Sequence, residues 1–160
     1  MTLADLNRLS ESRAEAEFQR CCGSIRWARM MALERPFASV ELLAAVAQRL
    51  WWALDAADWL EAFAAHPRIG ERAISTWSAE EQASSASAPG AVRDRLTHGN
   101  HEYERRFGYT FLICATDKSA EEIADALDRR LRHEPGDELQ IAADEQRRIT
   151  ELRLRKLLRS

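Results

Sequence analysis

The sequence predicts an all-α protein: a single-domain bundle of about eight helices with one short extended buried segment. Three observations point there. The Ser-x-x-Glu spacing of a capping box, in which serine and glutamate satisfy the open amides of a helix start, occurs at Ser12/Glu15, Ser78/Glu81 and Ser119/Glu122. Between these starts, apolar residues recur at three- and four-residue intervals, the period of a half-buried helix. Glycines and prolines fall where the patterns stop. A chain of 160 residues with 46% hydrophobic and 31% charged side chains is long enough to bury a core without a disulfide framework, so one domain spanning residues 1–160 is expected.

The first clear helix opens at Ser12 and runs through Phe18 to Cys22 and Gly23. The next, Ile25 to Glu34, is apolar on most sides, is expected to be largely buried, and stops before Arg35-Pro36. Ser39 then caps a helix carrying Leu42, Leu43, Val46, Leu50 and Trp51. A further helix starts near Asp55 or Asp58, turns Trp59, Leu60 and Phe63 inward, and ends close to His66, because Pro67 disfavours helical backbone in the residue before it. Ser78 opens another, with Trp77 just outside it. Val92, Leu96, Tyr103 and Phe107 fit a helix closed by Gly108, interrupted in pattern by Gly99-Asn100. Tyr109 to Ala115 lacks a polar helical face and reads as an extended segment through the core. Ser119 opens a helix with Ile123, Leu127 and Leu131, and Pro135-Gly136-Asp137 turns into a long terminal helix with Leu139, Ile149, Leu152 and Leu157.

Composition narrows the function. A net charge of −3 offers no electrostatic case for nucleic acid, and no stretch approaches the ~20 apolar residues that span a bilayer. Three cysteines, Cys21, Cys22 and Cys114, do not make a disulfide framework and fit a reducing cytoplasm. Nothing at the N-terminus reads as a secretion signal, and the last three residues are not a peroxisomal address. Zinc and calcium motifs, Gly-x-Gly-x-x-Gly, the phosphate loop and Gly-x-Ser-x-Gly are absent from the sequence, so acid–base chemistry without metal or cofactor is the expected mode.

Individual residues leave alternatives open. His98 and His101 share a helix face at metal-ligand spacing, yet solvated helix histidines look the same. Cys21 and Cys22 could close only a strained redox pair, whereas Cys22 and Cys114 suit small buried hydrophobes, and burial is the weightier reading. Arg147, Arg148, Arg153, Arg155, Lys156 and Arg159 suit an anion patch or, more simply, the polar side of an amphipathic helix. His66, at a helix end beside Pro67, is placed to exchange a proton near neutral pH. Spacing alone nevertheless favours a structural histidine there. Glu81 has work at its helix start whether or not it meets a substrate.

Taken in order, Arg35-Pro36-Phe37, Ala65-His66-Pro67-Arg68-Ile69-Gly70, Ser78-Ala79-Glu80-Glu81-Gln82, the run from Asn100 to Phe111, and Glu151-Leu152-Arg153-Leu154 cover nearly the whole chain. In that order and at those intervals they resemble the 2-oxo-4-hydroxy-4-carboxy-5-ureidoimidazoline (OHCU) decarboxylase family of urate breakdown. The resemblance implies an all-helical, usually homodimeric enzyme that converts OHCU to (S)-allantoin and CO2 without a cofactor, with possible pathway association to 5-hydroxyisourate hydrolase and uricase. It implies His66, Glu81 and Arg153 as catalytic residues. It implies substrate contacts from Pro67, Ser78, Gln82 and the segment Phe111, Leu112, Ile113, Cys114 and Ala115, the last through main-chain groups. A decarboxylase of a related ureido-ring acid, or a non-catalytic helical binding module, are the competing readings.

Overall fold

The computed structural model of the chain describes residues 1–69 and 90–159. Among these residues there are eight helices and no strand, as the sequence predicts. They are α1 (Leu3–Arg8), α2 (Glu11–Cys21), α3 (Ile25–Leu33), α4 (Val40–Trp52), α5 (Ala56–Ala64), α6 (Gly90–Phe107), α7 (Ala120–Arg130) and α8 (Pro135–Leu157). The helix start predicted at Ser78 lies outside the described residues. By internal packing the chain divides into two units, Met1–Ala62 with Arg147–Ser160, and Phe63–Gln146.

In the first unit, α1 opens with a capping box that the sequence reading missed. The Thr2 hydroxyl accepts from the Asp5 amide at 3.1 Å, and the Asp5 carboxylate accepts the Thr2 amide at 3.0 Å. The predicted start of α2 is corrected: Ser10, not Ser12, is the cap, its hydroxyl accepting from Arg13 N–H at 3.4 Å, so Ser12 falls inside the first turn. Cys22 is extended, and Ser24 begins α3 by accepting from Trp27 N–H at 3.2 Å. Helix α3 is not largely buried, as its composition suggested. Trp27, Ala28, Met31 and Ala32 form a narrow inward stripe, while Ile25 and Leu33 are 39% and 67% exposed.

Around that stripe, Phe18 meets Trp27 and Phe37 edge-on at 6.0 and 6.3 Å, and the Trp27 indole donates to Ala47 O at 3.0 Å. Arg35, just before Pro36, has a physical role in its place. Its guanidinium donates to Leu6 O at 2.9 Å, Leu9 O at 2.7 Å and Ala32 O at 3.0 Å, so one cation serves the open carbonyls at the ends of α1 and α3. Ser39 caps α4 as predicted, at 3.1 Å from Leu42 N. Leu43, Ala47, Leu50 and Trp51 face inward, whereas Leu42 is 48% exposed. Asp55 accepts from Asp58 N–H at 3.1 Å at the start of α5, where Trp59 is buried and Leu60 is not.

The second unit explains the odd Gly99-Asn100 pair inside α6. A Cβ at Gly99 would stand 3.0 Å from Leu127 Cγ, so glycine here spares the buried Leu127 side chain a shift where α6 meets α7. Gly108, at φ +83°, then ends α6 in the left-handed conformation. Ser119 and Glu122 form the predicted capping box of α7. Tyr109 to Ala115 forms neither helix nor strand, with a bend at Tyr109, and Phe111 to Ala115 are all buried, as expected. Tyr103, Phe111, Ile123 and Leu127, each with no exposure, centre this unit's core.

The inward face of α8 is unusual. Along with Ala142, Ala143 and Ile149 it buries Glu138, Gln146, Thr150 and Arg153, while the expected core residues Leu139 and Leu152 are only half-buried. Buried polar and charged groups need partners, and those partners lead to the site.

Candidate active site

Helix α5 ends at Ala64, and the His66 amide donates to Phe63 O at 3.1 Å, closing the last turn. Pro67 follows half-buried, and the chain is then tied down on both sides. Arg68 grips Glu104 of α6 with two parallel hydrogen bonds of 2.5 and 2.8 Å, the planar fork that guanidinium offers a carboxylate. The pairing holds the Glu104 carboxyl below its ordinary range. Asn100 Nδ2 donates to Ile69 O at 2.9 Å. The His66 ring, half-buried, has its Nε2 at 2.6 Å from Oε1 of Gln146, a side chain with no exposure on α8.

The extended segment shares this unit. Phe63, on the last turn of α5, stacks on Tyr109 with ring centroids 5.3 Å apart. Arg130 Nη1 donates to Leu112 O at 2.7 Å, Glu145 accepts the Cys114 amide at 2.9 Å, and Lys118 Nζ donates to Cys114 O at 2.9 Å. The Leu112 carbonyl and both main-chain groups of Cys114 are thus taken up by side chains of the same unit. Among the described residues the buried Ile113 N–H and C=O form no hydrogen bond, the condition of a main-chain donor and acceptor set aside for a ligand.

Behind the segment stands a buried charge cluster that the sequence reading did not anticipate. Arg130 pairs with Glu138 at 2.6 Å, with 7% and 0% of their side chains exposed. Glu138 also accepts from the Tyr103 hydroxyl at 2.6 Å and faces His133 Nδ1 at 2.9 Å. The guanidinium lies over the Phe111 ring, 4.6 Å from its centroid. Burial pushes the Tyr103 hydroxyl well above the usual tyrosine range, so it stays a donor. This cluster fixes the segment's carbonyl side by charge-assisted bonds.

Arg153 belongs to the first unit and is 9% exposed, not part of the solvated basic face that its neighbours suggested. Arg155, by contrast, is exposed and pairs with Glu151 at 2.6 Å. The Arg153 charge acts on Cys21 and Cys22, opposing the burial that raises those thiols to about 12 and about 11. All three cysteines are buried and unbridged, in keeping with the small-hydrophobe reading. Ser78, Glu81 and Gln82 lie outside the described residues. His98 and His101 are exposed, and among the described residues no cluster of three metal-ligand side chains forms. A groove of about 370 Å³ lined by Val40, Leu43, Ala44, Leu154 and Arg155 contains none of the expected site residues.

Fold and site together define a class: a small protein, all-α among its described residues, that holds a half-buried histidine against a buried glutamine beside a side-chain-anchored buried segment. Within that class the chain belongs to the OHCU decarboxylase family, whose model, described as OHCU decarboxylase, matches residues 7–155. It is 38% identical over 156 residues to the uric acid degradation bifunctional protein TTL of Arabidopsis thaliana, covering 89% of this chain and 47% of that protein. It thus spans about half the length of that relative. Over 158 residues it is 31% identical to the 2-oxo-4-hydroxy-4-carboxy-5-ureidoimidazoline decarboxylase of Haloferax volcanii, covering 96% of this chain and 94% of that one. A crystal structure of OHCU decarboxylase in the presence of (S)-allantoin superposes with a TM-score of 0.82 at 35% identity, covering 90% of this chain and 98% of that one.

Proposed function

We propose that this chain is a carboxy-lyase that decarboxylates OHCU to (S)-allantoin and CO2 in urate degradation. The observation that carries the reading is the family match through residues 7–155, whose length supports taking the chain as one domain.

The chemistry suits these residues. The substrate holds its carboxylate on a carbon next to a ring C=N. When the bond to CO2 breaks, its electron pair moves onto that imine, so the substrate serves as its own electron sink. The protein has to orient the ring, stabilise the charge shifting onto it, and deliver a proton to one face to set the product's handedness. His66 is the proton donor in this proposal, and Glu81 orients the imidazole or the ureido group. Arg153 holds the carboxylate or the anionic ring with its planar fork. Ser78 and Gln82 read the ureido and ring amides beside Pro67. Within Phe111, Leu112, Ile113, Cys114 and Ala115, the unpaired main-chain groups of Ile113 support the expected substrate contact. The described helices include none long and apolar enough to cross a membrane. A cytoplasmic homodimer working beside the hydrolase and oxidase steps of the pathway completes the proposal, and the name of the bifunctional Arabidopsis relative supports that association.

Replacing His66 by alanine tests the assignment. The variant is expected to fold normally and lose most turnover of OHCU, because general acid catalysis contributes about 10²- to 10⁴-fold. A folded His66→Ala protein with full turnover would return the histidine to a structural role.

A further inference from the structure

We infer that Gln146 is a positioning residue that fixes the tautomer of His66. The inference rests on His66 being the proton donor proposed above.

Gln146 sits on α8, eighty residues from His66 in sequence, and has no exposure. A glutamine in that place must satisfy its amide inside the protein. Its Oε1 lies 2.6 Å from His66 Nε2. An amide oxygen only accepts hydrogen bonds, so the ring nitrogen facing it carries the proton. The hydrogen bond made by one imidazole nitrogen decides the role of the other. With Nε2–H committed to Gln146, Nδ1 is the nitrogen that gains and loses the proton. It is therefore the one that delivers it to the substrate.

The choice of an amide matters. A carboxylate in the same place would add a full negative charge beside the ring, whereas an amide orients the ring through a neutral acceptor. The surrounding backbone serves the same end. The His66 amide closes α5, while Arg68 and Asn100 tie the following residues to α6, so the ring pivots from a fixed stem. Gln146 contributes the acceptor that places the Nε2 proton.

Two measurements on the full-length protein decide it. Nitrogen-15 NMR of the histidine-labelled wild type, assigned with His66→Ala, should show His66 as the Nε2–H tautomer when neutral. In Gln146→Met, which keeps the length and removes the acceptor, that preference should be lost and kcat should fall about tenfold with little change in KM, the size of one well-placed hydrogen bond. In Gln146→Glu, which restores an acceptor oxygen, the Nε2–H signal should return. A wild-type His66 in the Nδ1–H form, or a Gln146→Met protein with unchanged tautomer and kcat, would overturn the inference. The tautomer measurement needs no turnover, so it separates this failure from failure of the catalytic role of His66, which the alanine variant reports on its own.

Discussion

Removing the Arg130 guanidinium should be among the most damaging single changes in the second unit. In Arg130→Met a carboxylate with no solvent exposure, Glu138, loses the cation 2.6 Å away. Breaking a buried ion pair from one side typically costs about 3–5 kcal/mol, because the surviving charge is left uncompensated. The Leu112 carbonyl also loses its 2.7 Å donor, worth about 1 kcal/mol. Against this, Glu138 keeps the Tyr103 hydroxyl and the His133 ring, which places the net cost at about 3–4 kcal/mol. For a chain of this length that lowers the melting temperature by about 6–16 °C. Urea denaturation of the single and double variants reads it directly. Arg130→Met combined with Glu138→Leu should cost clearly less than the sum of the two single changes, since no charge is then left stranded. A loss below about 1 kcal/mol for Arg130→Met, or strict additivity, would refute the account of the cluster.

Two further outcomes follow from the anchors. Arg35→Ala removes one donor group from four backbone carbonyls and should cost about 2–3 kcal/mol in urea denaturation, with Arg35→Lys recovering less than half because lysine lacks the fork; a change under about 0.5 kcal/mol would contradict the capping role. The hydrogen bonds from Arg68 hold the Glu104 carboxyl below its ordinary value of 4.5, so the stability from that pair is fully present above pH 4.5 and is lost as the pH falls through the lowered value. The stability gap between wild type and Glu104→Gln should therefore be constant from neutral pH down to about 5 and shrink as the pH falls further through the lowered value, and a gap that stays open in strong acid would contradict it.

Much of the fold was legible because its signals are local. Ser39 and Ser119 each meet an amide three residues away, and the sequence displays both partners. The Tyr109 to Ala115 run announced itself by lacking any polar helical face. The misreadings were of two kinds. Ser12 and Ser10 both stand near a helix start, and only backbone geometry chooses between them; Thr2 with Asp5 went unseen because the expected pattern named glutamate as the reaching residue. Ile25, Leu33, Leu42 and Leu60 are exposed although apolar, since period alone gives a face but not its rotation toward neighbours.

The site was less legible, for a physical reason. Glu138, Gln146 and Arg153 are polar residues on a helix with a charged composition, and such residues ordinarily face water. Their burial is stabilised by partners distant in the chain: Gln146 by His66, and Glu138 by Tyr103 across thirty-five positions. No local pattern carries that pairing. His66-Pro67 was found through its ordered company with the other family motifs, and Arg153 in the same way, whereas Gln146 and Arg130 belong to no such motif and emerged only with the geometry.

The central claim is catalytic, and one measurement meets it most directly. OHCU generated in place from urate by uricase and 5-hydroxyisourate hydrolase is followed by its absorbance as it decays and by circular dichroism as allantoin forms. With this protein added, decay should accelerate in proportion to its concentration and the dichroic signal of (S)-allantoin should appear. Decay at the uncatalysed rate, ending in racemic allantoin, would contradict the account.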